Sequence, residues 1–336
     1  MIKKILSLDW KGLFRVLNSM SKRSGRSRID IFIDMFKLYK NEGYTWLNYY
    51  TYNFDRLRDA NIRRTYLSEY GDNTKIIREV TSKEDMLCLI DKGEFSKKFK
   101  DFLGREYLDL RESKYEDFEN FVKKHSVFFA KAPALCGGEG MVRINSENKD
   151  IRKIYDDCMA NGQYIIDEAI KQHPEMKKLS VNSVNTIRTG TAIDKKGNIT
   201  IPYMVLRASV SDSYLDNGSQ GGMWTLLDDD GYITKPMFAN LPVEYITEEN
   251  PLTGFKYIGF KIPMIEELKD MAKKAASTVP NLRYIGWDIA IGENGPVLIE
   301  ANDVPSVELY QAYVHMDEDK KGKVDLISQA LDVKLR

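Results

Sequence analysis

The sequence predicts an α+β protein with a helical N-terminal region and a mixed body of short strands and helices. Apolar residues recur at helical spacing in the first third of the chain, whereas short apolar runs alternate with helical segments from residue 75 onward. Two pairs of strand-like segments also flank turn sequences, which indicates two β-hairpins. Helices and hairpins that occupy separate parts of a chain are typical of the α+β class.

Helices are predicted throughout residues 1–74. Apolar residues repeat at helical spacing between Ile2 and Met20, with basic residues between them, so a first helix is expected there. The polar, basic segment at residues 21–28 contains a glycine and is expected to end that helix.

A second helix is expected at residues 30–39. Gly43 follows it and is a candidate C-cap, because glycine adopts the left-handed conformation that ends many helices. The aromatic run at residues 44–54 is too rich in rings for a solvated loop, so we expect it to pack against the rest of the chain.

The body divides into two predicted subdomains, residues 75–170 and residues 171–336. Its hairpins are recognised by turns rich in glycine, asparagine and aspartate. The predicted elements are strands at 127–130 and 164–166, a hairpin from 188–193 to 199–206, a helix at 263–278, and a second hairpin from 287–291 to 297–299.

Composition excludes several classes of protein. Of the 336 residues 43% are hydrophobic and 30% charged, and the 50 basic residues balance the 50 acidic ones, so no global field attracts nucleic acid. Three cysteines at unrelated spacings and three histidines indicate neither a disulfide framework nor a zinc site. We therefore expect a globular protein that works in a reducing compartment.

Membrane insertion and secretion are not expected either. No stretch approaches the roughly 18 uninterrupted apolar residues that a spanning helix needs. Lys3, Lys4, Asp9 and Lys11 interrupt the N-terminal apolar residues, which is unlike a signal peptide. The expected location is the cytoplasm.

The second hairpin carries three oxygen-bearing side chains. Alternation along a strand puts Glu300 and Asn302 on one face, and the hairpin brings Asp288 beside them. Two carboxylates and an amide in apolar surroundings would repel each other unless a hard cation joined them, and Mg²⁺ prefers such oxygens. The sequence therefore predicts a magnesium site; the alternative is a solvent-facing strand.

A lysine and a glycine-containing loop follow the strand predicted at 127–130. Lys131 would supply a positive charge, while Gly137, Gly138 and Gly140 would let backbone N–H groups approach an anion. This pattern indicates phosphate binding, although it matches neither the Walker motif nor the dinucleotide motif. A plain flexible hairpin is the alternative.

In their order along the chain, these motifs resemble the ATP-grasp superfamily. Asp91-Lys92 resembles the first nucleotide-binding lysine of D-alanine–D-alanine ligases, and Lys131 with its glycine loop resembles their second lysine and phosphate lid. The segment Tyr-Ile-Ile-Asp-Glu at 164–168 resembles the strand that holds adenine. Of its two acids we assign adenine recognition to Glu168, the alternative being an ordinary acid at a helix start.

The C-terminal acids extend the resemblance. Asp288, Glu300 and Asn302 look like the magnesium triad of the superfamily, and Glu-Ala-Asn at 300–302 is the sharpest match. The resemblance runs from about residue 75 to residue 314, and it implies an ATP-grasp fold in which two α+β subdomains grip ATP.

A narrower resemblance is to sugar-transfer-associated ATP-grasp proteins, including the teichuronopeptide-biosynthesis type. It rests on Ser-Val-Asn-Thr-Ile-Arg at 183–188, Asp-Asn-Gly-Ser-Gln-Gly-Gly at 216–222, and Lys92 before Phe-Leu-Gly at 102–104. It implies a role in surface polysaccharide or cell-envelope biosynthesis. Glu139, inside the phosphate loop, departs from the family pattern, and we expect its carboxylate to point away from the triphosphate.

The resemblance implies an ATP- and Mg²⁺-dependent ligase that joins a small carboxylate to an amine or glycan acceptor through an acyl phosphate. Lys92 and Lys131 would offset phosphate charge, and Arg188 and Arg207 would grip the γ-phosphate, the acyl phosphate or the substrate carboxylate. The alternative for each arginine is a structural ion pair. Alternatives for the whole protein are a kinase and a non-catalytic nucleotide-binding scaffold.

The basic N-terminal helix is a candidate for peripheral contact with the inner face of an anionic membrane. The alternative is a helix that packs on the body with its lysines in water.

Overall fold

The structure, a computed structural model, describes residues 10–134, 140–210 and 222–335. Helices form its N-terminal region: α1 Trp10–Ser24, α2 Arg28–Glu42, α3 Trp46–Thr51, α4 Ala60–Arg63, a π-helical turn Glu69–Asn73, and α5 Thr74–Val80. In the part of the chain that the structure describes, no helix is long and apolar enough to cross a bilayer.

Helix α2 has a capping residue at each end. The Ser27 hydroxyl accepts a hydrogen bond from the backbone N–H of Asp30, and Gly43 ends the helix at a φ of 78°. The C-cap predicted at Gly43 is confirmed. The break predicted at residues 21–28 is shorter than expected, because α1 continues to Ser24.

The aromatic run at residues 44–54 packs, as predicted. Phe54 is fully buried, and its ring makes edge contacts with the rings of Tyr44, 5.2 Å away, and Tyr49, 5.9 Å away. The Tyr52 hydroxyl accepts a hydrogen bond of 2.8 Å from Nε2 of Gln311, which ties the N-terminal helices to the C-terminal part of the chain.

A four-stranded antiparallel sheet follows, with strand order β1-β4-β2-β3. Helices α8 and α9 cover one face, where their apolar residues pack on Phe128, Ala130 and Ile166. The elements are α6 Leu87–Ile90, α7 Lys92–Lys98, a 3₁₀ turn Lys100–Phe102, β1 Tyr107–Asp109, α8 Tyr115–Lys124, β2 Val127–Lys131, β3 Met141–Asn145, α9 Ile151–Ala160 and β4 Ile165–Glu168.

A seven-stranded antiparallel sheet forms the C-terminal half, with strand order β11-β10-β5-β6-β7-β8-β9. Both predicted hairpins are confirmed, as β5–β6 and β10–β11, and the predicted long helix is α10. The elements are a 3₁₀ turn Met176–Lys178, β5 Thr186–Ile193, β6 Ile199–Ser209, β7 Gly222–Leu226, β8 Met237–Ala239, β9 Tyr245–Thr247, α10 Ile265–Ser277, β10 Tyr284–Gly292, β11 Gly295–Asn302, a 3₁₀ turn Tyr313–His315 and α11 Val324–Leu331.

The two faces of this sheet belong to different cores. Ile187, Leu206 and Trp287 point to the face that α10 covers, in the larger core. Tyr203 and Tyr284 point to the opposite face, where α5, α11 and residues 307–312 pack. Each sheet falls within one predicted subdomain, while the subdomain boundaries at residues 74 and 170 stay predictions.

The guanidinium of Arg105 joins the two sheets. Its Nη1 donates to the backbone carbonyl of Leu298 on β11 at 2.6 Å, and its Nη2 donates to the Asp167 carboxylate on β4 at 3.3 Å. One buried side chain therefore links the small sheet to the strand that carries Glu300.

Candidate functional site

Four charged side chains meet on one face of the large sheet. Asp288 on β10 is the direct cross-strand partner of Arg188 on β5 and of Glu300 on β11. Arg207 on β6 pairs with Thr186, two residues before Arg188, so its side chain reaches the same face. Three strand pairings thus place these groups together.

The Asp288 carboxylate binds both guanidinium groups. Arg188 donates through Nε to one carboxylate oxygen and through Nη2 to the other, at 2.9 Å, and Arg207 donates through Nη1 at 3.0 Å. Burial alone would raise the pKa of Asp288, but the charges of the two arginines outweigh it and hold this pKa well below its usual range.

Glu300 faces Asp288 because of a bulge in β11. Asp288 pairs with Glu300, whereas the next residue, Ile289, pairs with Leu298, so Ile299 is an extra residue in the ladder. Burial, and then the charge of Asp288, raise the pKa of Glu300 above its ordinary range.

Asp288, Glu300 and Asn302 fit a magnesium ion. All three supply hard oxygens, and a cation would remove the repulsion between the two buried carboxylates. Asn302 lies on the Glu300 side of β11 and donates its amide nitrogen to the Gly286 carbonyl at 3.3 Å. Because Arg188 and Arg207 already engage Asp288, the ion would use the remaining lone pairs of that carboxylate.

Within residues 10–134, 140–210 and 222–335, no group of three His, Cys, Asp or Glu side chains has metal-binding geometry. A magnesium site on the large sheet therefore depends on the Asn302 amide, and on phosphate oxygens or water for its remaining ligands.

Lys131 ends β2 on the open face of the small sheet. Its Nζ lies 2.5 Å from Oδ2 of Asp167, which also accepts from Arg105. Burial would raise the pKa of Asp167, but the charges of Arg105 and Lys131 outweigh it and lower the pKa to about 2.

Glu168 lies on the other face of β4. It pairs with Phe128, and its carboxylate accepts from the backbone N–H of Glu106 at 3.0 Å and lies 3.5 Å from Nδ1 of His125. The structure therefore places Asp167, rather than Glu168, beside Lys131.

Lys92 begins α7 next to the loop that follows Lys131. Its backbone N–H donates to the Pro133 carbonyl at 2.9 Å, and Asp91 caps the helix through the N–H groups of Gly93 and Glu94. The two predicted nucleotide lysines thus come from adjacent segments.

The predicted glycine loop is described in part. Gly140 has a φ of 68° and its carbonyl accepts from the N–H of Ala132 at 3.2 Å. Gly137, Gly138 and Glu139 lie outside the described residues, as does most of the 216–222 motif.

Sequence reasoning missed four charged residues near the site: Arg105, Asp167, Glu69 and Glu308. Asp167 had a partial signal, since adjacent residues of a strand face opposite ways and one of the two acids of β4 must therefore share a face with Lys131, although the sequence does not say which. The others belong to no local motif, and Glu69 and Glu308 are far apart in sequence.

The site on the large sheet and the lysines of the small sheet both lie within a region that matches a known family. The model for sugar-transfer associated ATP-grasp proteins matches residues 73–315, well over half of the chain. The chain belongs to the sugar-transfer-associated ATP-grasp family. Its α+β fold is accordingly an ATP-grasp fold with an N-terminal helical region, as the resemblance implied. The match begins within the π-helical turn, so α1 to α4 lie outside it.

Solved structures similar to this ATP-grasp protein include ligases. PsnB, an ATP-grasp ligase complexed with a minimal precursor, is 14% identical, with 74% of this chain and 64% of PsnB covered at a TM-score of 0.45. D-alanine–D-alanine ligase from Helicobacter pylori is 16% identical, with 78% and 69% covered at 0.45. N5-carboxyaminoimidazole synthetase from Staphylococcus aureus, complexed with ADP, is 11% identical, with 68% and 48% covered at 0.41.

The chain spans less than two thirds of the length of PsnB and about half that of the synthetase. No curated protein matches its sequence.

Proposed function

We propose that this ATP-grasp protein is an ATP-dependent ligase that activates a carboxylate as an acyl phosphate and joins it to an amine or similar nucleophile. The observation that carries the proposal is the pairing of Asp288 with Glu300 beside Arg188 and Arg207. Paired carboxylates suit a magnesium-bound triphosphate, and guanidinium groups suit a substrate carboxylate.

Asp288, Glu300 and Asn302 would hold the magnesium ion. An ion held there would supply positive charge that offsets the negative charge of the transferring phosphoryl group. Arg188 and Arg207 would hold the attacking carboxylate in line with the γ-phosphorus. Because Asp288 fixes both guanidinium groups, they are oriented before substrate arrives.

The small sheet would hold the rest of the nucleotide. Lys92 and Lys131 would offset charge on the α- and β-phosphates, and the loop with Gly137, Gly138 and Gly140 would cover them and exclude water from the acyl phosphate. Either acid of β4 could meet adenine: Glu168, as the resemblance implied, or Asp167, which shares a face with Lys131.

An acceptor amine would bind near Glu69 and Glu308. Asn73 donates to Glu69 at 3.2 Å and to the Pro305 carbonyl at 3.1 Å, which ties the π-helical turn to the loop after Asn302. Burial, and then the charge of Glu69, raise the pKa of Glu308 to about 7. A carboxylate that titrates near neutrality suits both attraction of an ammonium group and removal of its proton.

This acidic pair is close to the arginines. A Cβ placed on Gly286 would lie 3.6 Å from Pro305 Cβ and 3.0 Å from Arg188 Cδ. The loop that follows β11 therefore lies against the side chain proposed to grip the carboxylate, where the acceptor must attack.

The wider role is also a proposal. Membership of a family named for sugar transfer supports a reaction in surface polysaccharide or cell-envelope biosynthesis, with a small carboxylate and an amine or glycan acceptor. Dependence on ATP favours the cytoplasm. The three cysteines favour it as well, because their unrelated spacings indicate no disulfide framework.

The test is Mg²⁺-dependent ATP turnover of the full chain with pairs drawn from amino acids, uronic acids and amino sugars, scored by phosphate release and by mass spectrometry of the product. Glu300→Gln should abolish turnover. Glu293→Gln, in the exposed turn of the same hairpin, is the matched control and should leave turnover unchanged.

Amide or ester formation with release of ADP and phosphate supports the ligase. A stable phosphorylated product with no joining step would instead identify a kinase. If the chain binds no ATP, the ligase interpretation and the kinase interpretation are both wrong.

A further inference from the structure

Helix α2 exposes a large apolar surface to solvent. Ile31 and Met35 on its inner side are buried in the N-terminal core, as an amphipathic helix requires. Its outer side is also apolar, and the exposed fractions are 72% for Ile29, 58% for Phe36 and 46% for Ile33. A contiguous apolar surface of this kind on a helix is normally covered by another surface, so the exposed outer side is the anomaly.

The anomalous residues form one stripe, which we call the α2 outer face: Ile29, Phe32, Ile33, Phe36 and Tyr39. Their spacing of three and four residues aligns them along one side of the helix. All five are more than two fifths exposed.

The face continues onto α1. Phe14 is 58% exposed and lies one helical turn before Asn18. The Asn18 side chain accepts a hydrogen bond of 3.1 Å from Arg28, which lies one turn before Phe32. The contact between the two helices thus aligns Phe14 with the start of the α2 outer face.

Positive charge surrounds this apolar surface. Exposed basic residues flank it on both helices: Lys11, Arg15, Arg28, Lys37 and Lys40. Of the acids of α2, Asp34 is paired with Arg63 at 3.0 Å and accepts from Tyr49 at 2.7 Å, while Asp30 accepts from the Ser27 hydroxyl at 2.7 Å near the N-terminal end of the helix. The five exposed basic residues outnumber the two remaining acids of the helix, Asp30 and Glu42.

The positive charge around the α2 outer face distinguishes between two candidate partners, a second copy of the chain and an anionic bilayer. In a two-fold dimer through the α2 outer face, the basic rim of one copy would meet the same basic rim of the other, which is unfavourable. An anionic bilayer is complementary instead, because its interior accepts Phe and Ile side chains while lysines reach the phosphates.

We propose that the α2 outer face, together with Phe14, is a membrane-docking surface that places the protein on an anionic lipid bilayer. The proposed docking element is therefore α2 with Phe14, whereas the sequence alone indicates the basic first helix. α2 lies outside the region that matches the ATP-grasp family, so this surface does not depend on the proposed ligase reaction.

The experiment is flotation of the full chain with phosphatidylcholine vesicles and with vesicles that also contain phosphatidylglycerol. The wild-type chain should float only with the anionic vesicles and should lose binding in high salt, where charges are screened. The double variant Phe32→Gln/Phe36→Gln and the double variant Lys37→Gln/Lys40→Gln should each weaken binding about tenfold.

Leu87→Gln/Ile90→Gln is the matched control, because both residues are exposed apolar residues on a different helix. It should float like the wild type, and all variants should keep the wild-type circular dichroism. Absence of flotation, or equal flotation of the Phe32/Phe36 variant, overturns the proposal. A dimer that this variant abolishes without any lipid binding would also overturn it and identify a second copy as the occupant. Preferential binding to polyglutamate over anionic vesicles would overturn it in favour of an acidic polypeptide.

Discussion

At the scale of single residues, Asp288 has two tasks. It is a proposed magnesium ligand, and it is also the counter-ion of two buried guanidinium groups. Loss of activity in an Asp288 variant would therefore not separate chemistry from folding. Glu300 carries no such second task, since its charge is disfavoured by burial and by Asp288.

We expect Asp288→Asn to lower the free energy of unfolding by about 3 kcal/mol, because it leaves Arg188 and Arg207 without their buried counter-ion. Glu300→Gln should change this free energy by less than about 1 kcal/mol, or raise it, while still abolishing turnover. Urea denaturation of both variants beside the wild type measures the difference. Equal destabilisation by the two substitutions would contradict this account.

Glu308 predicts a pH dependence. Its pKa is raised from 4.5 to about 7, so the folded state holds the proton more tightly than the unfolded state, and stability falls as pH rises through that interval. A glutamine at this position has no carboxyl group to lose a proton, so the Glu308→Gln variant keeps its stability as the pH rises. We therefore expect its free energy of unfolding above neutrality to exceed that of the wild type by about 1–2 kcal/mol, a value that allows for the partial exposure of the side chain.

Urea denaturation of the Glu308→Gln variant and of the wild type, at a pH below and a pH above the interval from 4.5 to about 7, shows which protein is the more stable at each pH. The two proteins should be alike in acid and diverge as the pH rises. A gain in stability that is the same at every pH would show that the carboxylate charge is not its cause.

At the scale of elements, the hairpins could be predicted but the register of β11 could not. The turn residues between β10 and β11 identify the hairpin from sequence alone. However, uninterrupted pairing outward from Gly292 and Gly295 would bring Glu300 opposite Trp287, on the apolar face. The bulge at Ile299 restores the pairing with Asp288, and no residue type in the sequence marks it.

The acids of β4 show a second limit. Asp167 and Glu168 are adjacent, so the sequence says that they face opposite ways but not which face Lys131 shares. That depends on the register between β2 and β4, which tertiary packing of Phe128 and Ile166 decides.

Two helix ends provide a matched test of backbone conformation. Gly25 and Gly43 follow α1 and α2 with φ values of 72° and 78°, and a Cβ on Gly25 would meet nothing within 4 Å, whereas one on Gly43 would lie 2.3 Å from the backbone nitrogen of Gly71. Gly25→Ala should destabilise by about 1–2 kcal/mol through its conformation alone. Gly43→Ala should lower the free energy of unfolding by clearly more, because its Cβ would also clash with the backbone of Gly71. Thermal unfolding of the two variants measures the difference. Similar losses would show that the contact with Gly71 relaxes freely.

Arg105 gives a test of the contact between the sheets. Arg105→Met would leave the Leu298 carbonyl without this donor and Asp167 with one cation instead of two, so we expect a loss of about 2–3 kcal/mol in stability. Weaker ATP binding should accompany it, because Lys131 would then be held more tightly by Asp167. Isothermal titration calorimetry measures that affinity, and Lys97→Met, which removes two exposed salt bridges, is the control. Unchanged ATP affinity would rule out a link between Arg105 and the nucleotide site.

At the scale of the whole molecule, the proposed site spans both sheets, so bound nucleotide should stabilise the entire fold. At about one hundred times its dissociation constant, MgATP should raise the free energy of unfolding by about 2.7 kcal/mol. Thermal unfolding with ATP in Mg²⁺ and in EDTA measures the shift. Glu300→Gln should retain only the part that is independent of magnesium, and no shift in the wild type would argue against ATP binding.

Most of the global architecture could be predicted. The resemblance, which runs from about residue 75 to residue 314, agrees with the family match at 73–315. It could be found in a single sequence because it depends on the order of a few motifs along the chain, those of Lys92, Lys131, Asp288 and Glu300. What could not be predicted are contacts between distant segments. Glu69 and Glu308 come together through the fold of the N-terminal helices on the C-terminal half, and no local pattern records that approach.

The bulge in β11 also bears on how chains of this kind change length over evolution. Loss of Ile299 would leave a regular ladder in which Glu300 still faces Asp288, since Leu298 already pairs with the next residue along β10. Loss of Val297 or Leu298 could be absorbed in the same way by disappearance of the bulge, whereas gain of one residue there, with the bulge unchanged, would turn the acid toward the apolar face. In relatives that keep the proposed magnesium site, single-residue deletions between Pro296 and Ile299 should therefore be tolerated more often than single-residue insertions.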